Sequence, residues 1–477
     1  MAEVDPLRWK ALAVVCAAFF MTILDVSIVN VALPSIGTSL HFSRDNLQWV
    51  ITAYSITFGG FLLLAGRAAD LLGRRRVFLV GVIVFTAASF VCGLAWSEGV
   101  LITSRAVQGL GAAIISPAAL SIVMTTFEEG AERNKALGIW GAIGGSGAAV
   151  GVLAGGLLTK YAGWEWIFFV NVPVGALALA LAPRLVRESR VDRESSPDVA
   201  GAIAVTAGLA LLVYGVSNAP SHGWSSSWTL SRLVVAVVLL VAFLAIEARA
   251  KDPLMPFRIF RVSTVAGANL SGLLLGSVTF ANFFLLTLFV QQVLGWSALK
   301  TGITFIATAG TAILWAGVAQ ALVTRIGAKT VMAVGFVAMI AGMIWYTQVP
   351  ADASFWGDLL PGYLLVGFAL PFTFIPVSIA ALAGVQHHEA GLASGLINTA
   401  QQIGGAIGVA VTSSVSLSHF DHLIAKHGPS SFAQSFTSGS QWAFWVCAAL
   451  SVVGLVATLV FVRSDELAQV EQSAAVA

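Results

Sequence analysis

The chain has 477 residues, of which 58% are hydrophobic and only 10% charged, with a formal net charge of +2. A soluble fold carries about 25% charged residues, so lipid rather than water must cover most of this surface. The near-neutral balance, without a basic tract, excludes a nucleic-acid partner, and Cys16, Cys92 and Cys447, each inside an apolar run, exclude a disulfide framework or a thiolate metal centre.

A bilayer core about 30 Å thick needs roughly 20 apolar residues per helix. By that measure the sequence predicts an all-α membrane protein with fourteen spans, over residues 10–34, 48–66, 77–96, 99–124, 136–159, 165–185, 199–219, 229–248, 263–290, 301–324, 330–348, 357–383, 391–416 and 440–462. The first run is too long for a signal-peptide core and ends without a small-residue cleavage pattern, so it is expected to remain as span 1. With the N-terminus inside, 19 of the 25 Lys and Arg residues fall on the cytoplasmic side and five (Arg44, Lys160, Arg232, Lys300 and Lys426) on the outer side. The positive-inside rule then places both termini in the cytoplasm, in a multi-pass protein of the cell (inner) membrane.

Two ionisable residues lie within spans. Asp25 in span 1 and Arg105 in span 4 both fall roughly 10–14 Å below the outer surface at 1.5 Å per residue. A charge at that depth costs about 2.5–3.5 kcal/mol even on insertion scales, so the pair is read as a proton-coupling carboxylate whose protonation responds to its partner. A purely structural salt bridge is the alternative.

Between spans 2 and 3 the chain reads Gly66-Arg67-Ala68-Ala69-Asp70-Leu71-Leu72-Gly73-Arg74-Arg75-Arg76. Its glycines permit a tight turn, and its charges can bond to helix ends. An acid beside three arginines suggests a conformational latch formed by Gly66, Asp70, Gly73, Arg74 and Arg75, beyond simple positive-inside anchoring. Span 5 carries Gly138, Gly147, Gly151, Gly155 and Gly156. Such small residues let helix backbones approach closely in lipid, and this density suggests a helix that also bends or slides.

The sequence repeats itself. Gly73-Arg74-Arg75-Arg76-Val77 with Gly81 is echoed 254 residues later by Gly327-Ala328-Lys329-Thr330-Val331 with Gly335, and Gly138, Gly147 and Gly151 are echoed at an offset of 257 by Gly395, Gly404 and Gly408. Pro117 and Pro376 fall in corresponding helices. The expected organisation is therefore an N-terminal six-helix repeat over 1–190, two inserted transmembrane helices with their linkers over 191–262, a C-terminal six-helix repeat over 263–463 and a cytoplasmic tail over 464–477. Two parallel six-helix repeats describe a large transporter class that binds substrate between its halves at mid-membrane.

These motifs resemble the major facilitator superfamily and, within it, the fourteen-span drug:proton antiporter-2 family (EmrB/QacA-like). Leu24-Asp25-Val26-Ser27-Ile28-Val29-Asn30-Val31-Ala32-Leu33-Pro34 is similar to that family's span-1 signature, and Gly66 to Arg76 to the superfamily's loop motif. Arg105-Ala106-Val107-Gln108-Gly109-Leu110-Gly111-Ala112 resembles the span-4 motif, the span-5 glycines the antiporter motif, and Trp164-Glu165-Trp166-Ile167-Phe168-Phe169-Val170-Asn171-Val172-Pro173-Val174-Gly175 the span-6 signature. The chain departs from the pattern in Val152, where the antiporter motif has proline, in Glu165, where arginine is usual, and in having Gln401 and Gln402 but no buried acid in the C-terminal half. The resemblance implies proton antiport by alternating access, exporting an amphipathic or hydrophobic drug or metabolite, with Asp25 and Arg105 coupling protons. Asn30, Tyr54, Phe283 and Gln291 are the expected pocket lining. A monomer without cofactor is expected, its partners being the substrate, protons and the bilayer.

Other readings have weaker support. The span-5 glycines argue against a proton-coupled nutrient importer, no soluble output domain supports a sensor, and no converging catalytic groups support an enzyme. No phosphate-cradling motif points to ATP. His387-His388-Glu389 and the outer-loop group His419, Asp421, His422 and His427 are read as solvated loop residues rather than metal ligands.

Overall fold

The computed structural model describes residues 6–127, 131–189, 198–250, 253–255, 257–381 and 390–463, and among these every regular element is helical. His387, His388 and Glu389, the tail over 464–477 and the side chain of Asp70 lie outside the described residues.

Fourteen long helices follow one another: α1 (Arg8–Ser39), α2 (Trp49–Leu72), α3 (Arg74–Gly93), α4 (Glu98–Thr126), α5 (Ala131–Tyr161), α6 (Asn171–Leu185), α7 (Val199–His222), α8 (Ser227–Arg249), α9 (Ser263–Leu288), α10 (Ala298–Ile326), α11 (Ala328–Tyr346), α12 (Leu360–Ala381), α13 (Ala390–His427) and α14 (Phe432–Phe461). Thirteen candidate spans, long and apolar enough to cross a bilayer, are found among the described residues. The remaining helix, α5, is 31 residues long, about 46 Å at 1.5 Å per residue. The helices overrun the expected spans most at α13 and α14, which reach to His427 and back to Phe432. A hydropathy window measures apolar length, whereas a helix continues into water wherever its backbone bonds and caps allow. His419, Asp421, His422 and His427 therefore sit on the last turns of α13, not in a loop. His419 bonds Ser438 Oγ at 3.0 Å, and no metal-binding group forms among the described residues.

Both ends of this even-numbered bundle lie on one face, called here the terminal face; the opposite face is distal. The packing is repeated. In the first half α1 packs on α5 and α6, α2 and α3 on α4, and α3 on α6; in the second half α9 packs on α13 and α14, α10 and α11 on α12, and α11 on α14. The correspondence reaches single atoms: Ser27 Oγ donates to Gly147 O at 3.3 Å, and Ser277 Oγ donates to Gly404 O at 2.8 Å. The turns entering α3 and α11 also match, because Gly73 (φ +106°) and Gly327 (φ +82°) both occupy the left-handed region that glycine tolerates.

The halves meet along two seams. One joins α2 to α13: a Cβ on Gly59 would lie 3.2 Å from Gln402 and Ile403, and one on Gly395 2.8 Å from Leu63. The other joins α5 to α10 at the distal end, where a Cβ on Gly156 would lie 3.0 Å from Ala298 O and one on Gly302 2.7 Å from Val152 O. Distal closure also uses Gln291, whose Nε2 donates to Val31 O in the other half at 2.8 Å. Between the halves in sequence, α7 packs on α8 and on both α2 and α13.

Candidate functional site

Four helices bring polar side chains to one point inside the first half. On α4, Arg105 and Gln108 are three residues apart and so share a face. Opposite them stand Asp25 on α1, Ser89 and Cys92 on α3, and Asn171 at the start of α6. All six are buried. Arg105 Nη1 forms a short ion pair with Asp25 Oδ2 and also donates to Gln108 Oε1 at 2.6 Å. Its Nε donates to Val50 O on α2 at 2.9 Å, and the guanidinium lies 4.4 Å from the Tyr54 ring centroid and 5.7 Å from that of Phe168.

The second carboxylate oxygen, Asp25 Oδ1, accepts from Gln108 Nε2 at 2.8 Å and from Asn171 Nδ2 at 3.2 Å. Both amides also donate to Ser89 Oγ, at 3.1 and 3.0 Å, and Ser89 in turn donates to Phe168 O at 2.9 Å. A buried pair survives desolvation only when its remaining lone pairs and protons are met, and these neighbours meet them. Among the described residues the second half has no comparable buried ion pair. Aligning Ser27 with Ser277 places Leu275, buried and apolar, at the position of Asp25. Among the described residues, the ion pair with both side chains fully buried is therefore found in the first half.

Of the expected pocket residues, Tyr54 belongs to this cluster. Asn30 is buried, with Nδ2 donating to Val26 O at 2.8 Å and Oδ1 without a hydrogen-bond partner among the described residues. Phe283 packs on Phe305 with ring centroids 5.0 Å apart, and Gln291 serves the distal closure. Among the described residues, no hydrogen bond or ring contact joins any two of the four. Sequence reasoning gave no role to Gln108, Asn171 or Ser89. Gln108 carried a signal in its spacing from Arg105 and Asn171 in being polar within an apolar run; Ser89 carried none.

The α2–α3 turn is organised by a residue the sequence did not single out. Glu188, beyond the end of α6, accepts from the backbone amides of Arg75 at 3.0 Å and Arg76 at 3.2 Å, while the Arg74 amide donates to Ser189 O at 2.9 Å. These are first-turn amides of α3, which have no partner within their own helix. In return Arg75 Nη1 donates to Pro183 O and Val186 O at 3.3 and 3.2 Å, at the carbonyl end of α6. Opposite helix dipoles are thereby tied end to end. A Cβ on Gly73 would stand 2.7 Å from Glu188, whereas one on Gly66 would reach Pro117 only at 3.4 Å. Glu188→Gln should lower stability by about 1 kcal/mol, as loss of a cap does, and slow transport several-fold at matched expression. Unchanged unfolding temperature and transport would show that the tie has no mechanical role.

On α5, Gly147, Gly151 and Gly155 line one stripe against α1. A Cβ would fall 2.7 Å from Ile23 at Gly147, on Ser27 Oγ and 2.9 Å from Leu24 O at Gly151, and 2.7 Å from Ile28 O at Gly155. Gly156 faces α10 instead. Gly138 lies near the other end of this unbroken helix.

The helical bundle, its repeated halves and its buried Asp25–Arg105 pair define a multi-pass membrane transporter. The profile of the Major Facilitator Superfamily matches residues 15–409, and the chain belongs to that superfamily, whose members are transporters rather than enzymes. It is 39% identical to the puromycin resistance protein of Streptomyces alboniger over 464 residues, covering 97% of this chain and 92% of the relative. It is likewise 39% identical to the cephamycin export protein of Amycolatopsis lactamdurans, covering 85% and 84%. Among solved structures it is similar to a bacterial homolog of the human lysosomal transporter Spinster, with a TM-score of 0.67 and 16% identity over 96% of this chain and 98% of that one.

Proposed function

We propose that this transporter is a proton-coupled exporter of amphipathic or hydrophobic small molecules, working by alternating access in the cytoplasmic membrane with both termini in the cytoplasm. The observation that carries the reading is the buried Asp25–Arg105 pair. Two sites for opposite charge are held in contact within a moving half, and a proton placed on Asp25 removes the charge that Arg105 holds. Loading that proton and opening the pair therefore go together. Arg105 is not the carrier, because a guanidinium stays protonated. The tie between α3 and α6, with Asp70, serves as the latch of one state, and the α5 glycines provide a surface on which α1 shifts.

The direction of transport is supported by the relatives, whose names specify puromycin resistance and cephamycin export. Everted vesicles provide the test. With an acid interior they should accumulate puromycin or a cephamycin, and addition of either compound should release protons. Accumulation that persists after the pH gradient is collapsed would remove proton coupling from the reading; movement only out of everted vesicles would instead favour the nutrient-import alternative.

A further inference from the structure

We infer that Asp198 and Glu247 hold one proton between them at the terminal face, and that this second proton site controls a strap laid across the α2–α13 seam. The site belongs to the inserted helices and is separate from the Asp25–Arg105 pair. Asp198 precedes the first turn of α7, where its Oδ1 accepts from the Gly201 amide at 2.7 Å, and Glu247 stands in the last turn of α8. Their other oxygens converge: a Cβ on Gly201 would lie 2.6 Å from Asp198 Oδ2 and 3.0 Å from Glu247 Oε1. Both atoms are buried, Glu247 is only 3% exposed, and among the described residues neither oxygen has a hydrogen-bond donor. Two acceptors brought together in a dry place without a donor are costly unless something positive joins them. Mg²⁺ or Ca²⁺ would take about six or more oxygens, and no metal-binding group of three or more side chains forms among the described residues. A proton needs only two, and like charges this close do not both ionise. Arg249, two residues along α8, is exposed; Arg67 on α2 bonds Pro253 O; Arg258 and Arg261 stand on the turn Phe257–Arg261. Among the described residues none of them forms an ion pair with either acid.

The proton has a mechanical consequence because Glu247 also anchors the chain that leads to α9. Glu247 Oε2 accepts from the Met255 amide at 2.8 Å, and Pro253 O accepts from Arg67 Nη2 of α2 at 2.9 Å. Met255 and Ile259 then join an apolar cluster with Leu63 on α2 and with Ala393 and Leu396 on α13. Residues 253–255 and the turn Phe257–Arg261 thus touch the inserted pair and both halves, at the terminal end of the seam where α2 meets α13. With the proton in place, the two acids tie the start of α7 to the end of α8 and leave Glu247 Oε2 to hold Met255. As the pH rises and the proton leaves, two negative charges share one dry space; Glu247 turns toward water, releases Met255 and loosens the strap. The strap is therefore fixed at low pH and loose at high pH. On the export reading above, each cycle delivers protons to this face, so filling the site fastens the strap and slows the next cycle.

Asp198→Asn and Glu247→Gln each place a permanent N–H donor where the proton sits, so either should fix the strap at every pH, and one serves if the other folds poorly. The first measurement, on the purified full chain in lipid, is the infrared absorption of a protonated carboxyl group at neutral pH. It is expected in the unsubstituted protein and in Asp25→Asn, and should be lost in Asp198→Asn and in Glu247→Gln; its absence from the unsubstituted protein, or persistence in either variant of the pair, would overturn the shared proton. The second follows a nitroxide on Phe257→Cys, a position 40% exposed on the strap, the three native cysteines being buried. Its mobility should rise at least threefold between about pH 6 and about pH 9, the upper end of the range in which buried carboxyl groups titrate, and should not respond when Asp198→Asn or Glu247→Gln is added. A label that responds equally with and without those substitutions, or in neither case, would overturn control of the strap. Neither measurement requires transport, so their failure leaves the export reading standing. In proteoliposomes that do export, both variants should run at least threefold slower than the unsubstituted protein when the terminal face is alkaline and equally fast when it is acid; equal rates at both would overturn the brake.

Discussion

Asp25→Asn is expected to abolish export driven by a pH gradient, lowering the rate at least a hundredfold, while substrate binding persists. The amide retains an oxygen for Gln108 and Asn171, which now donate to Asp25 Oδ1, so the shape of the site is preserved. It has no exchangeable acid proton near neutral pH and no negative charge for Arg105. Removing one member of a buried pair costs about 3–5 kcal/mol, because the other charge is left uncompensated. A lower yield of Asp25→Asn would therefore follow from burial alone. The double variant Asp25→Asn/Arg105→Gln removes both charges, and it should recover folded protein without recovering coupling. The measurement is substrate-induced proton release from proteoliposomes, beside equilibrium binding of the same substrate. Full pH-driven exchange by either variant would place the coupling acid elsewhere.

What the sequence disclosed follows the physics of each feature. Spans are legible because lipid demands about 20 apolar residues in a row. Asp25 and Arg105 are legible because a charge within such a run is costly enough to need a reason, and the structure brings the two together although 80 residues separate them. The neighbours that satisfy the pair were harder to read. Ser89 resembles any serine of a membrane helix, and its role comes only from being placed within 3.1 Å of two amides by the packing of α3 against α4 and α6. Glu188 lies in a polar stretch where an acid raises no question, and it becomes informative once the chain folds back to the first turn of α3. The ends of α13 and α14 were misplaced for another reason, since helix length and apolar length are different quantities. The glycine periodicity announced the repeats, but only contact distances separate Gly151, pressed on α1, from Gly66, where a methyl group fits.

That difference at Gly151 leads to the second large effect. Gly151→Leu is expected to lose most folded protein and to reduce pH-driven exchange at least tenfold in what remains. The new side chain would start on Ser27 Oγ and 2.9 Å from Leu24 O. Backbone cannot rotate away as a side chain can, so α1 and α5 must separate; overpacking of this kind typically costs about 1–3 kcal/mol. Leu24 and Ser27 flank Asp25, and any displacement of α1 carries the carboxylate away from Arg105, Gln108 and Asn171. Gly99→Leu supplies the contrast, because a Cβ there meets nothing within 4 Å, and it should remain near wild type. Gly151→Ala should be intermediate, and adding Ser27→Gly, which removes the nearest obstructing atoms, should restore part of its exchange rate. Detergent-solubilised yield and proteoliposome exchange report the two effects separately. Wild-type exchange by Gly151→Leu would mean that α1 and α5 already stand further apart during turnover than the glycine contact allows, and that the α5 stripe serves assembly rather than transport.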